Sequence, residues 1–147
     1  MKTRRAWRFF VAEGPSLVSP IAADRSPWAK RMTSPRCALG CDPVPGPCGH
    51  CGYTVLRDRE SFIEVIDQLE RNGNLIGRTI VGARVAVRGP LRFRPPLYWI
   101  NLNAPEYRAG DLELEHLYLH DRDWHAADDL ADRYGVPVST PIALDTI

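Results

Sequence analysis

The chain has 147 residues, 44% of them hydrophobic, and a formal net charge of +1 at pH 7. That apolar fraction can bury a core and excludes an extended disordered chain, and the length fits one domain over 1–147. No run approaches the roughly 18 apolar residues of a membrane-crossing helix. The basic start Met1-Lys2-Thr3-Arg4-Arg5 is followed by an apolar stretch broken by Arg8, Glu13, Gly14 and Pro15, unlike a secretory signal, so a cytoplasmic, non-membrane protein with reduced thiols is expected.

Trp7, Phe9 and Val11 alternate with Ala6, Arg8 and Phe10 as a first strand. Gly14-Pro15 turns the chain and Leu17 to Ile21 returns it as a hairpin. Residues 22–36 are irregular, with Trp28 as their anchor. After a Cys-, Gly- and Pro-rich segment over 37–52, Tyr53 to Leu56 reads as a short strand. The spacing of Phe62, Ile63, Ile66 and Leu69 predicts a helix from Arg59 to Asn72, capped by Asp58 and stopped at Gly73.

Further strands are expected at Leu75–Val81, Arg84–Arg88, Leu91–Arg94 and Leu97–Leu102, with Pro95-Pro96 in a loop or at an edge. Leu112 to Leu119 alternates as a strand, with Leu112, Leu114, His116 and Tyr118 on one face. A second helix is predicted from Arg122 to Tyr134, with Asp121 as N-cap, Gly135 as stop and Trp124 on its apolar face. Val136 to Leu144 adds a strand or lies along the surface. Eleven glycines and thirteen prolines suit these short elements, and no solenoid repeat is present. Charge is unevenly spread: residues 1–103 hold 16 basic and 8 acidic side chains, and 104–147 hold 3 and 10. Halves that face and cancel each other account for this better than a basic partner-binding half.

Chemistry concentrates in Cys37-x3-Cys41-x6-Cys48-x2-Cys51. Two short cysteine pairs can close tetrahedrally on one zinc ion if the link bends back, and Gly40, Pro43, Pro45, Gly46 and Pro47 supply bends. Cys48-Gly49-His50-Cys51-Gly52 is a zinc ribbon-like knuckle, whose final glycine lets amides turn toward the sulfurs. Four protein ligands leave no open position, so the zinc is expected to be structural, in a binding loop over 37–52. An iron–sulfur cluster uses the same ligands, and two disulfides would need an oxidising compartment. A thioredoxin-like motif would open a helix, whereas Tyr53 to Leu56 reads as a strand. His50 is a bystander or a substitute ligand. The expected class is therefore α+β: a small twisted antiparallel sheet or partly open barrel with two helices and a zinc-bound loop.

The chain resembles a group of small actinobacterial and actinophage proteins in three places. They share a first strand like Arg5-Ala6-Trp7-Arg8, a Cys/His cluster ending in a knuckle and an aromatic like Cys48 to Tyr53, and a strand like Val81-Gly82-Ala83-Arg84-Val85 with a glycine shortly after, here Gly89. Cys41 stands where the group has histidine, and the last pair is spaced x2 rather than x1; both changes keep a ligand set. The resemblance covers the first two thirds of the chain and implies no activity.

Two other groups are candidates. Arg84, Arg88, Arg92 and Arg94 fall on or beside adjacent strands near aromatics, which can hold single-stranded nucleic acid; a core with a solvated basic face explains the pattern more simply. His116, His120 and His125 lie near Asp121 and Asp123, where a second metal or general-base site would make a small metal-dependent hydrolase; surface histidines at a turn are the simpler reading. The function expected is a non-enzymatic, zinc-stabilised binding or regulatory module. Its partner is expected to be a protein, with nucleic acid as the alternative.

Overall fold

The computed structural model describes residues 4–18, 28–37, 39–48, 51–71, 73, 77–94 and 106–140. The expected strand Leu97–Leu102, the loop at Pro95-Pro96, His50, and parts of the expected elements at 19–21, 72, 75–76 and 141–144 lie outside these residues. The strands in chain order are β1 (Arg4–Glu13), β2 (Ser16–Val18), β3 (Met32–Thr33), β4 (Tyr53–Leu56), β5 (Thr79–Val87), β6 (Leu91–Arg94), β7 (Glu106–Ala109), β8 (Leu112–Leu119) and β9 (Val138–Ser139). Helix α1 (Arg59–Arg71) follows β4, and a 3-10 turn (Asp121–Ala126) leads into α2 (Ala127–Tyr134) after β8.

The strands form one open sheet in the order β3-β8-β5-β1-β4-β7-β6, with β2 added to β1 and β9 to β8. Every pairing is antiparallel except β8–β9. Strand β5 is continuous where the sequence suggests two strands. Gly82 interrupts the apolar pattern, but it lies in register between Phe9 on β1 and Tyr118 on β8.

Alternation sorts the sheet into two faces. Ala6 and Phe10 join Val81, Ala83, Val85, Leu112, Leu114, Leu117 and Leu119 in a core covered by Leu130 and Tyr134 of α2. Burying each large aliphatic or aromatic side chain stabilises by about 1.5–3 kcal/mol. Trp28 is the anchor expected: it packs edge-on to Phe10 at 4.8 Å and accepts a hydrogen bond at its carbonyl from the Tyr134 hydroxyl at 2.8 Å. Arg8 also enters this core. Its guanidinium lies 5.0 Å from the centre of the Phe10 ring and donates to Thr54 O at 2.7 Å. Burial pulls its pKa down to about 10, so it stays charged at neutral pH.

The other face carries Arg5, Trp7 and Phe9, with Arg84 opposite Trp7. Helix α1 covers part of it: Phe62 is fully buried, 5.3 Å from the Trp7 ring. The Asp58 carboxylate caps α1 by accepting from Ser61 N at 2.7 Å, and Gly73 has the positive φ of 72° expected of a C-terminal stop.

Strand β8 departs from strict alternation. Arg84 pairs with His116 but Val85 pairs with Leu114, so Glu115 has no counterpart on β5. This bulge resets the phase. Leu112, Leu114, Leu117 and Leu119 all point into the core, while His116 and Tyr118 move to the face of Trp7. The second helix also starts later than expected. The His120 ring, not Asp121, accepts from the first free amide, Arg122 N, at 3.2 Å, and Trp124 is 46% exposed because its turn is 3-10. Gly135 ends α2 with φ 65°.

Candidate metal centre

The described residues between β3 and β4 form no helix or strand, which lets some of their amides serve the cysteines. All four thiols are free, and their sulfurs lie within 4.8 Å of one another. Cys37 Sγ and Cys48 Sγ are 3.8 Å apart, whereas a disulfide requires about 2.05 Å. Sulfurs at the corners of a tetrahedron with bonds of about 2.3 Å would be about 3.8 Å apart. Cys51 is buried, and Cys37, Cys41 and Cys48 are half-buried, so one side of the quartet meets solvent.

Backbone donors point at the sulfurs, as thiolate ligands require. Leu39 N donates to Cys37 Sγ at 3.3 Å, and Gly46 N donates to Cys51 Sγ at 3.1 Å. The Cys41 amide holds the Cys37 thiol below its usual value. Burial raises the Cys51 thiol despite the Gly46 amide. At Cys41 the Cys48 amide favours the thiolate, but desolvation and the neighbouring sulfurs outweigh it and push the thiol up to about 11. Clustered sulfurs repel one another's charge, and a cation among them removes that repulsion.

Glycine is required at two places for different reasons. A side chain at Gly46 would overlap the Cys41 side chain, so only glycine lets the link fold back over the first cysteine pair. Gly52 has φ 98°, and a Cβ there would lie 2.9 Å from Ala109 O. The knuckle glycine therefore serves close approach to β7, while the amides that reach sulfur include those of Leu39, Cys41, Gly46 and Cys48. Arg92 Nε donates to Pro45 O at 3.1 Å and Arg108 donates to Gly52 O at 3.4 Å. These side chains tie the loop to β6 and β7, which pair through the same two residues.

The remaining candidate residues are dispersed. Arg92 serves the cysteine loop, the Arg94 side chain lies outside the described residues, and Arg84 and Arg88 pair with Glu115 at 3.6 Å and Glu113 at 2.7 Å. Arg5 and Arg31 join those carboxylates, which single-element reading missed because the four arginines come from distant segments. The three histidines are used separately. His116 Nε2 is 2.7 Å from Ser139 Oγ and its ring stacks on Tyr118. His120 caps the 3-10 turn, and His125 is exposed at that turn's end. Among the described residues, the cysteines are the group of three or more ligating side chains that converges. No helix among the described residues is long and apolar enough to cross a membrane. No protein-family model, curated protein or solved structure matches the chain.

Proposed function

We propose that Cys37, Cys41, Cys48 and Cys51 bind one structural zinc ion, and that the protein is a zinc-stabilised binding module for a macromolecular partner rather than an enzyme. The observation that carries the metal is the sulfur geometry: four free thiols within 4.8 Å, with one pair 3.8 Å apart. A four-iron cluster would attach each cysteine to a different iron and a two-iron cluster would put two cysteines on each iron, and either would hold some of the four sulfurs farther apart than 4.8 Å. That favours a single ion with four thiolate ligands. Such a shell is closed, so the metal serves by joining the Pro-rich loop to the β4–β7–β6 end of the sheet. The module reading is supported by the separate structural uses of the histidines: His116 Nε2 is 2.7 Å from Ser139 Oγ at the β8–β9 pairing with its ring stacked on Tyr118, and His120 caps the 3-10 turn.

The test is elemental analysis of the purified chain beside Cys48→Ser. About one zinc per chain, lost in the variant with a lower melting temperature, is expected. Stoichiometric iron, or no metal with unchanged melting, would refute the zinc.

A further inference from the structure

The charges on the face carrying Trp7 are unbalanced in a specific way, and we infer that this face binds single-stranded nucleic acid. The inference rests on reading the chain as a binding module and does not depend on the metal. Glu113 receives Arg88 at 2.7 Å and Arg31 at 3.4 Å. Glu115 receives Arg5 at 2.9 Å and Arg84 at 3.6 Å. The two carboxylate side chains are only 15% and 21% exposed, while the four arginine side chains are 38–65% exposed. Solvent therefore meets four partly exposed arginine side chains over two largely buried carboxylates, with the Arg84 Nε itself buried.

The carboxylates also hold these long side chains in place, which lowers the entropy lost when a ligand is bound. Arg5 lies opposite Ala86, and Arg84 and Arg88 flank Ala86 two residues away on either side. Diagonal neighbours of this kind are about 7–8 Å apart across an antiparallel pair. That is comparable with the repeat of an extended phosphodiester backbone. Arg31 extends the strip past β8, where Leu114 N donates to its carbonyl. A guanidinium engaged by carboxylate on one edge keeps N–H groups on another for a phosphate oxygen.

Aromatic rings give the face its second component. Trp7 and Phe9 follow Arg5 at alternate positions of β1, so they share its side of the sheet; Trp7 packs against Phe62 at 5.3 Å and Tyr118 at 6.0 Å, and both Trp7 and Phe9 remain half-buried, with part of each ring open. Bases stack on such rings regardless of sequence. An acidic protein would satisfy the arginines, but the diagonal spacing of about 7–8 Å from Arg5 to Arg84 and Arg88 and the part of the Trp7 and Phe9 rings left open beside them suit the phosphates and bases of a single strand. With a whole-chain charge of only +1, attraction is short-ranged and affinity should be modest, in the micromolar range at low salt.

The test is fluorescence anisotropy of labelled oligo(dT) and mixed RNA of about 20 nucleotides with the full chain, between about 50 and 200 mM NaCl. Saturable binding should weaken linearly on a log–log salt plot. Arg84→Gln with Arg88→Gln should weaken it about tenfold and reduce the slope by about 1.4, the share of two phosphate contacts. Arg5→Gln should act in the same direction. Glu115→Gln should tighten binding, while Asp132→Asn, an equal change in net charge on α2, should leave it unchanged. Circular dichroism checks that each variant is folded.

No binding by wild type at low salt overturns the inference, as does equal tightening by Asp132→Asn. Saturable binding of labelled polyglutamate without binding of oligonucleotide would overturn the inference and assign the face to an acidic protein instead. Metal content measured on the same samples separates the two readings: metal retained without oligonucleotide binding defeats this inference alone, and binding without metal defeats the zinc alone.

Discussion

The Tyr134 hydroxyl joins three parts of the chain, and removing it tests how the path toward the cysteines is held. It accepts from Leu17 N at 2.8 Å and donates to Trp28 O at 2.8 Å. Tyr134 is 2% exposed, Leu17 is fully buried and Trp28 is 6% exposed, so water cannot readily replace the hydroxyl. Tyr134→Phe keeps the ring and creates no large cavity. It leaves one buried donor and one buried acceptor unmatched, each costing about 1–3 kcal/mol. The carbonyl belongs at the low end, since a C=O tolerates under-satisfaction better than an N–H. A total of about 2–4 kcal/mol follows. With a urea m-value of about 2 kcal/mol/M, the unfolding midpoint should fall by about 1–2 M. Zinc should be in excess in both samples, so that metal binding contributes equally. A midpoint shift below about 0.3 M with unchanged m would refute the reasoning, because it would mean the two backbone groups find other partners.

Three further outcomes follow from individual residues. Gly46→Ala places a Cβ into the Cys41 side chain, so it should weaken zinc binding about tenfold or more in a chelator competition while Gly40→Ala, whose Cβ meets nothing within 4 Å, should act only through its φ of 83° and weaken it less. Zinc affinity should fall steeply as pH drops from 8 to 6, because thiols must lose protons to ligate, Cys41, at about 11, and the raised Cys51 among them; release of at least two protons gives at least about a hundredfold per pH unit, measurable with a zinc-sensitive dye. Burial, and then the nearby Arg84 charge, lower the His116 pKa below 6.5, so the unfolded chain binds the proton more readily. Stability is therefore highest above 6.5 and declines as pH falls from there toward the lowered folded-state pKa, and His116→Gln should flatten that decline in melting curves.

Helix α1 was legible because every level agreed: an Asp58 cap, apolar residues at helical spacing and a terminal glycine. The phase of β8 was legible only in part. Leu-Glu-Leu-Glu-His-Leu-Tyr-Leu carries its leucines at 112, 114, 117 and 119, and an uninterrupted two-residue period puts half of them on the wrong side. The Glu115 bulge reconciles them, and it depends on pairing with a strand nearly thirty residues earlier in the chain. The short strands β3 and β7 were missed because two to four residues carry too little periodicity to stand out. Trp124 was misplaced because a 3-10 turn rotates side chains by a different angle than an α-helix.

The cysteine spacing by itself determined which residues can converge on a metal, since ligand type and short separations within a turn-rich segment are local properties. Periodic patterns spanning many residues likewise determined helix α1, the end of α2 at Gly135 and the existence of strands β1 and β8. Only the tertiary structure decided which face each strand presents, that Arg8 enters the core, and that Arg5, Arg31, Arg84 and Arg88 gather over Glu113 and Glu115. The reason is range. Those arrangements arise from pairing between segments up to 110 residues apart, where register and bulges select neighbours that no local pattern encodes.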